Sequence, residues 1–398
     1  MSRPRIEMSE LIADPFGVLA EARRRGWLAE SDGALAVVTH DRVRELLGDA
    51  RLRANFVSFL ENFGISSGPF YDWMAMSPLN RDGAEHQRWR TLLSRTFTPR
   101  SVDRLRPFLR GAAHELIDGF AARGQCEFMA DFADAFPSLG LCELIGVPTE
   151  DRDRFRGWAN TIGLGFNPIM IATRIGEIDA ALTELLAYTR ELAARRRVEP
   201  RDDLVTRMAQ AGDEAGWTDD EIEGSIAGLV FAGHETTKNQ LGWTIAVLSE
   251  RPAIWDGVAS GTMAVRDVVE EVLRYRSTVT SIGRTAAEPI DHAGEHIPAG
   301  SAVFLSLWSA DHDAAAFPKP DEVAPEANAA VPHFAFGHGA HFCLGAALAR
   351  AELQDALSAL AERLECPRVE AGSTWKPPLG INGPDVLPIS FRIRAAVA

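Results

Sequence analysis

Hydrophobic residues recur at helical spacing along most of the chain. In the segment 353–364, leucines stand at i, i+4, i+7 and i+11, the stripe of a helix with one face toward a core. Stretches with strand-like composition are short by comparison. The clearest of them are residues 34–40, 280–286, 301–308 and 387–393. The pattern predicts a mainly α protein with a small β portion.

One predicted helix is unusually long. Thr218 and Glu221 have the spacing of a capping box, and apolar residues follow at helical spacing to about Glu250. A helix over 218–250 would be on the order of 45 Å long. It is therefore long enough to cross the whole molecule.

The middle of this helix reads AGHETT (232–237), which is unusual for a helix interior. Gly233 there costs about 1 kcal/mol relative to alanine, and Thr236 can donate to the carbonyl of Ala232 and loosen the turn. Such a gap could admit oxygen and water. The alternatives are a plain polar seam or a zinc site, but Lys238 stands where the zinc motif H-E-x-x-H requires its second histidine.

Composition narrows the function classes. The chain has 46% hydrophobic and 24% charged residues, which is typical of a globular protein with a large core. The net charge of −15 argues against nucleic acid and anionic membranes as partners. We found no apolar stretch of membrane-spanning length and no signal-peptide pattern, so we expect a soluble, cytoplasmic protein.

Domain organisation is predicted to be simple. The length of 398 residues would allow about two to three domains, yet no flexible linker separates them. Residues 195–203 and 318–332 have the composition of surface loops between ordered segments. We therefore expect a single domain over 1–398, and a monomer.

The four cysteines, at positions 126, 142, 343 and 366, are too few and too irregular for a disulfide framework. Cys343 stands out because it lies in the stretch FAFGHGAHFCLG (334–345). A buried structural cysteine is the ordinary interpretation of such a residue. However, Gly337 and Gly339 can take positive φ and approach a flat ligand, and a following helix would stabilise a thiolate at its N-terminus. A thiolate in such a turn, packed by Phe336, can be an axial ligand to haem iron.

The pattern F-G-x-G-x-H-x-C-x-G over residues 336–345 resembles the haem-binding signature of the cytochrome P-450 family. The resemblance extends from about residue 14 to the segment 387–393. It implies the cytochrome P-450 fold, with the long central helix crossing over haem b and Cys343 as the iron ligand. The same resemblance assigns cofactor-binding positions around the haem. These are Ala232, Gly233, Phe336, Gly337 and Gly345.

Further roles follow from the resemblance alone. Glu235 and Thr236 would form the proton-delivery pair, with Thr236 nearest to dioxygen. Propionate partners would be His86, Arg90, Arg284 and His341. Glu271 and Arg274 have the spacing of an ordinary exposed pair, but the family places such a pair in a buried structural network behind the haem. Three features depart from the family pattern. They are Ser277, the sequence SADHD (309–313) and the lack of an arginine in the region directly before residue 331.

The implied function is a haem-thiolate monooxygenase that inserts one oxygen atom of O2 into a C–H bond of a small organic, secondary-metabolite substrate. No dinucleotide-binding fingerprint is present, so electrons would come from outside, ultimately from NAD(P)H through a ferredoxin reductase and a ferredoxin. Residues 81–110 contain eight arginines and three acidic residues, a local charge of +5 in an acidic chain. We expect this region, including Arg95 and Arg104, to bind an acidic ferredoxin, although a solvated helix face is the simpler alternative.

Substrate identity is open at this stage. The predicted pocket walls are residues 56–76, 161–171, 229–233, 277–282 and 379–382. Hydroxyl groups in the segment 277–282 suggest a substrate that is not a pure hydrocarbon. The alternatives are a peroxide-driven or isomerising haem-thiolate enzyme without a redox partner, a haem-based sensor or carrier, and a haem-free helical scaffold.

Overall fold

The computed structural model describes residues 3–96, 98–167 and 169–395, except the side chains of residues 95, 96 and 99. Helices dominate these residues, as the hydrophobic periodicity predicts. The α-helices are α1 (Met8–Ala13), α2 (Pro15–Arg25), α3 (His40–Leu47), α4 (Phe56–Asn62), α5 (Pro69–Met76), α6 (Gly83–Thr96), α7 (Pro99–Ala121), α8 (Ala135–Ile145), α9 (Arg152–Gly163), α10 (Ile171–Val198), α11 (Leu204–Ala215), α12 (Asp219–Ser249), α13 (Pro252–Ser260), α14 (Val265–Tyr275), α15 (Leu307–Asp311), α16 (Pro325–Asn328) and α17 (Ala346–Arg363).

The β portion is small and made of short strands. The strands are β1 (Leu28–Ser31), β2 (Ala34–Val37), β3 (Leu52–Arg53), β4 (Gln125–Glu127), β5 (Ser281–Ala286), β6 (Ile290–His292), β7 (Glu295–Ile297), β8 (Ala302–Ser306), β9 (Arg368–Val369), β10 (Thr374–Trp375), β11 (Pro384–Val386) and β12 (Pro388–Ser390). Each of the predicted strand segments contains one of them, namely β2, β5, β8 and β12. The segment 301–308 is strand only to Ser306, whose side chain then accepts from the N–H of Ser309 and caps α15.

The main sheet has the strand order β1-β2-β8-β5-β3. β2 and β8 pair in parallel, with Leu35 opposite Val303, whereas β5 and β8 are antiparallel, with Ser281 opposite Ser306. β12 joins β4 and β9, and β10 pairs with β11 in a hairpin near the C-terminus. β5 lies beside the cysteine turn, since a Cβ at Gly337 would be 3.3 Å from Ile282 Cδ1.

The long helix α12 forms as predicted. The Thr218 hydroxyl accepts from the N–H of Glu221 at 3.2 Å, and the Glu221 carboxylate accepts from the N–H of Thr218 at 2.8 Å. The helix then continues for 31 residues, which corresponds to about 46 Å. It packs against α8, α9, α10 and α17, so most of its circumference is buried. A helix buried on nearly all sides forms the central element of the fold.

The helix after Cys343 begins later than the sequence suggests. α17 starts at Ala346 with Gly345 as its N-cap, so Cys343 lies in the turn before the helix and not in its first turn. The predicted leucine stripe at 353–364 is buried, each leucine being 1% exposed. It anchors α17 in the main hydrophobic core, against α7 and α14.

None of the helices within the described ranges has both the length and the apolar composition that crossing a bilayer requires.

Candidate functional site

A cavity of about 360 Å³ lies between the middle of α12 and the turn that carries Cys343. Most of its lining is apolar, contributed by α5, α6, α8, α12, β5 and α17. Residues that line it include Trp73, Leu79, His86, Arg90, Leu93, Leu141, Leu229, Phe231, Ala232, Gly233, Thr236, Thr278, Val279, Ile282, Phe336, Gly337, His341, Cys343, Gly345 and Glu352. Most of the sequence-predicted site residues therefore meet in one cavity.

The turn of residues 336–345 forms one wall of this cavity. The N–H of Cys343 donates to the carbonyl of Phe336 at 2.9 Å, which closes the turn. Gly337 and Gly339 have φ values of +69° and +74°, as their role in the turn predicts. A Cβ at Gly339 would lie 3.0 Å from the carbonyl oxygen of Leu47, so a larger residue would not fit. The turn therefore needs glycine for both its backbone conformation and its packing.

Cys343 is free, and part of its surface opens into the cavity. Burial raises the pKa of its thiol, while hydrogen bonding from the N–H of Gly345 and the charges of Arg90 and Arg350 act in the opposite direction. The N–H groups at the start of α17 favour the thiolate, as the sequence predicts, but burial outweighs their effect. The cause of the raised pKa is burial of the thiol in apolar surroundings. A cation bound to the sulfur would supply the missing stabilisation, because a coordinating thiol is deprotonated.

The opposite wall is the middle of α12. Ala232, Gly233 and Thr236 have accessible surface on an otherwise buried helix, because they face the cavity. The Thr236 hydroxyl donates to the carbonyl of Ala232 at 2.6 Å, as predicted. A Cβ at Gly233 would lie 3.1 Å from Leu141 Cδ1, so the glycine also lets α8 pack closely against α12. Thr236 is thus the polar side chain that α12 presents at its centre.

Glu235 points away from the cavity. Its Oε1 accepts from Lys376 Nζ at 2.5 Å and from Asn239 Nδ2 at 2.9 Å, and Lys238 Nζ lies 3.8 Å from Oε2. Burial by itself would raise the pKa of Glu235, but Lys376 and Lys238 outweigh burial and hold it below the ordinary value. Glu235 and Thr236 are therefore adjacent in sequence but lie on different faces of α12.

His86, Arg90 and His341 line one edge of the cavity, and Arg284 lies beside them without lining it. The rings of His86 and His341 are 4.0 Å apart, and His341 Nε2 is 3.1 Å from Asp82 Oδ1. Burial, followed by the charges of His341 and Arg90, lowers the pKa of His86 to about 4. Burial also lowers the pKa of Arg284, whose guanidinium donates to the carbonyl of Gly283.

Arg90 completes this group, and among the described residues it has no hydrogen bond or ion pair. Asp82 is the one acid that acts on the group in the described part of the chain, so positive charge is in excess. We call His86, Arg90, Arg284 and His341 the cation cluster. Such an excess next to an apolar cavity suits an anionic ligand.

Glu271 and Arg274 form a buried pair behind the cysteine turn. Their side chains are joined by two hydrogen bonds of 2.8 and 2.9 Å, and Arg274 also donates to the carbonyls of Asp311, Pro320 and Glu322. Asn328 Nδ2 donates to Glu271 Oε1 at 2.8 Å. Asn328 thus supplies the donor that the missing arginine would have supplied, and the buried network is confirmed.

The other departures from the family pattern also have local explanations. The Asp311 carboxylate in SADHD accepts from the N–H of Phe334 at 2.9 Å, which fixes the start of the segment leading to Cys343. Burial raises the pKa of Asp311 to about 7. The Ser277 hydroxyl donates to the carbonyl of Val279 at 2.8 Å, and the Thr278 hydroxyl lies near the carbonyl of Thr236. These hydroxyls are occupied within the protein, so they do not indicate a polar substrate.

The predicted pocket walls are in part correct. The residues of these walls that line the cavity are Trp73, Leu229, Phe231, Ala232, Gly233, Thr278, Val279 and Ile282. The segment 161–171 contributes indirectly, because Phe166 stacks on Phe231 with ring centroids 3.9 Å apart. Residue 168, in that segment, lies outside the described residues. Residues 379–382 pack behind the wall, where Ile381 pairs with Val279.

Sequence reasoning missed Glu352. It lies on α17, is 1% exposed and lines the cavity without an ion-pair partner among the described residues. Burial raises its pKa well above the ordinary value, and the nearby Thr237 hydroxyl offsets only a part of this effect. Burial therefore favours the protonated form of Glu352. The signal in the sequence was an acidic residue directly before Leu353, the first leucine of the apolar stripe of α17.

The basic region 81–110 is less positive in three dimensions than in sequence. In the part of the chain that the structure describes, Arg81 pairs with Glu85, Arg88 with Glu221, Arg104 with Asp202, and both Arg106 and Arg110 with Asp355. The side chain of Arg95 lies outside the described set. Three of these acids are distant in sequence, which is why the local sum of +5 overstates the surface charge.

Comparison with known proteins identifies the class. The family model described as cytochrome P-450 matches residues 263–378. Luteothin monooxygenase of Streptomyces thioluteus is 34% identical over 374 residues, which cover 94% of this chain and 92% of that protein. Mycinamicin IV hydroxylase/epoxidase of Micromonospora griseorubida is 36% identical, with 78% of this chain and 79% of that protein covered.

Solved structures agree with the sequence relatives. Cytochrome P-450 CYP109Q5 from Chondromyces apiculatus superposes with a TM-score of 0.88 at 30% identity, covering 99% of this chain and 100% of that one. CalO2 has a TM-score of 0.89 at 26% identity, with 96% and 97% covered. The chain belongs to the cytochrome P-450 family, and both the resemblance and the fold class are confirmed. It is an oxidoreductase of the haem-thiolate monooxygenase type, a family that uses haem, O2 and reducing electrons.

Proposed function

We propose that this enzyme inserts one oxygen atom of O2 into a C–H bond of a small, mainly apolar secondary metabolite, with Cys343 as the iron ligand of haem b. One observation carries the proposal. A free thiol on one wall of an apolar cavity faces the Ala232–Thr236 wall of α12, and the cation cluster, with its excess of positive charge, lies at the edge between them. A flat, apolar, dianionic cofactor with an iron centre matches all of these features.

The residues divide the work of binding the haem. The cation cluster would hold the two propionates, which are costly to bury without positive partners. Phe336, Gly337 and Gly345 would shape the surface on the thiolate side, and Ala232 and Gly233 the opposite surface. Bound haem would supply the chemistry of dioxygen activation and C–H oxidation.

Protons must reach the cavity from the protein. We assign Thr236 the role of holding a proton at its hydroxyl on the cavity wall, and Glu235 the role of carrying protons to that wall. Since Glu235 is turned toward Lys376, its carboxylate would have to rotate to reach the cavity. Glu352 is already in the cavity lining, and burial raises its pKa, so we assign it as a second group that can hold a proton, on the α17 side.

The substrate should be uncharged and mainly apolar over its buried part. Apart from the cation cluster, the cavity side chains are chiefly Trp73, Leu229, Phe231, Val279 and Ile282. The names of two relatives state that they act on luteothin and on mycinamicin IV. This comparison supports a secondary metabolite of similar size for the present enzyme.

Electrons would come from a ferredoxin and its reductase, and ultimately from NAD(P)H. Among the basic residues of the region 81–110, Arg100 is exposed and has no ion pair in the described part of the chain. Arg104 and Arg110 keep exposed side chains although they are paired. We propose this reduced set of arginines as the binding surface for an acidic partner.

The decisive experiment is the absorption spectrum of the reduced, CO-bound protein. The wild type should show the band of a thiolate-ligated haem, and Cys343→Ser should lose it. Cys366→Ser is the matched control, because Cys366 lies away from the cavity and contacts the carbonyl of Leu248. A Cys343→Ser protein with an unchanged spectrum would refute the proposal.

A further inference from the structure

Lysine is rare in this protein. The sequence contains 38 arginines but only three lysines, at positions 238, 319 and 376. Lys238 and Lys376 both approach Glu235, the acid turned away from the cavity, whereas Lys319 pairs with Glu322 on the surface. Two of the three compact, single-point cations of the chain therefore meet at one carboxylate.

Lys376 reaches Glu235 from the hairpin β10–β11. Its Nζ lies 2.5 Å from Glu235 Oε1 and 2.8 Å from Asn239 Oδ1. Asn239 also donates to Glu235 Oε1 at 2.9 Å, so the three side chains form a closed hydrogen-bonded triangle. A Cβ at Gly383 would lie 2.5 Å from Asn239 Oδ1, so the hairpin packs closely against this triangle.

The hairpin that carries Lys376 is fixed against α12. The Trp375 and Trp243 rings are 4.5 Å apart, and the N–H of Lys376 donates to the carbonyl of Gly383 at 3.0 Å. Asn382 Nδ2 donates to the carbonyl of Lys376 at 2.8 Å. The ammonium group is therefore held in place by ordered backbone.

Within the described residues, the charged and titratable side chains around Glu235 come from several segments. Lys376 is on the hairpin, Lys238 and His234 are on α12, and Asp134 precedes α8 and accepts from Lys238 at 2.9 Å. His234 is fully buried, and burial lowers its pKa. Asp385 is 4.0 Å from Lys376. Lys376, the partner in direct hydrogen-bonding contact, is thus the cation that controls Glu235 most strongly.

We infer that Lys376 is a positioning residue for Glu235: it holds the carboxylate in its charged form, on the face of α12 away from the cavity. This inference rests on the proposed proton-carrying role of Glu235. Lys376 does not itself donate the proton, since transfer from an ammonium to a carboxylate is uphill by about six pKa units, a factor of about a million. Solvent supplies the proton, and the lysine sets the pH at which Glu235 accepts it.

The sign of the effect follows from the charges. An acid whose folded pKa is lowered contributes stability that is present above its unfolded pKa and is lost as the pH falls through the folded pKa. Lys376→Met removes the largest attractive charge, so burial, which raises the pKa of Glu235, is then opposed chiefly by the weaker effect of Lys238. Proton uptake by Glu235 should therefore move to higher pH, by at least about one unit.

Two measurements test this inference, each on wild type, Lys376→Met, Glu235→Gln and the double variant. The first is the midpoint of urea unfolding from pH 4 to pH 8, which requires no turnover. The difference between wild type and Lys376→Met should grow as the pH rises through this range, and it should disappear in the Glu235→Gln background. Lys319→Met, on the exposed pair, should show no pH-dependent difference from wild type.

The second measurement is the pH profile of the fraction of electrons that appear in product instead of peroxide. The midpoint that Glu235→Gln eliminates should be at least about one unit higher in Lys376→Met. The inference would be overturned if Lys376→Met left this midpoint unchanged. It would also be overturned if Lys376→Met shifted the pH profile equally in a protein that already carries Glu235→Gln. A Lys376→Met protein that keeps the thiolate CO spectrum but shows no shift would contradict only this inference, whereas a missing spectrum in wild type would contradict the proposed function.

Discussion

The protein has a buried ion pair, Glu271–Arg274, and a partly buried cation cluster, and the two differ in how the chain balances their charge. The Glu271–Arg274 pair has hydrogen-bond partners on all sides, including Asn328 and three backbone carbonyls. The cation cluster has an excess of positive charge and one neighbouring acid, Asp82, in the described part of the chain. The comparison teaches that charge balanced within the protein stabilises the fold, while unbalanced charge at a cavity marks a ligand.

The largest expected effect is on the balanced pair. Arg274→Met should lower the free energy of unfolding by about 3–5 kcal/mol, because it leaves Glu271 buried without its partner. Glu21 and Arg24 have the same spacing but are exposed, so Arg24→Met is a matched control with an expected loss of about 0.5 kcal/mol or less. Chemical denaturation measures both. Equal losses in the two variants would show that the network is not structural.

The cation cluster should respond in the opposite way. Arg90→Met should stabilise the haem-free protein, because it removes repulsion, and should raise the pKa of His86, which Arg90 helps to lower. It should also weaken haem retention by about tenfold, measured as the rate of haem transfer to apomyoglobin.

The control for this variant is Arg81→Met, since Arg81 pairs with Glu85 and lies outside the cavity lining. Its haem retention should match that of wild type. If Arg90→Met destabilised the haem-free protein and left haem retention unchanged, the cluster would be structural and the comparison would fail.

The smallest effect concerns the surface arginines, where the same distinction applies. Arg100 is unpaired among the described residues, so Arg100→Glu should lower ferredoxin-supported turnover at low salt by about threefold. Arg104 is already paired with Asp202, at 3.3 Å, so Arg104→Glu should change the rate by less than about twofold. Steady-state rates at two salt concentrations test this order, and the reverse order would remove the basis of the docking surface.

Much of the fold could be predicted from the sequence because its signals are local. The capping box at Thr218, the strand segments and the leucine stripe of α17 each depend on residues a few positions apart. The cysteine motif was equally local, and it places Cys343 on the cavity wall. The start of α17 was misjudged by a few residues, because the turn before it uses the same small residues as a helix N-terminus.

The direction of side chains could not be predicted in the same way. Glu235 and Thr236 form one motif in the sequence, yet the lysine of a distant hairpin draws the acid away from the cavity. Glu352 lines the cavity because α17 packs against α12, a contact between segments that are distant in the chain. Acids at positions 202, 221 and 355 form ion pairs with arginines of residues 81–110 and so balance much of their charge.

The sequence by itself determined the family, the central helix and the thiol, since these rest on short patterns whose chemistry is independent of distant residues. The tertiary structure alone decided which charges are balanced and which face the cavity. The physical reason is that electrostatic interactions and burial depend on distances in space, and chain positions more than a hundred residues apart set those distances.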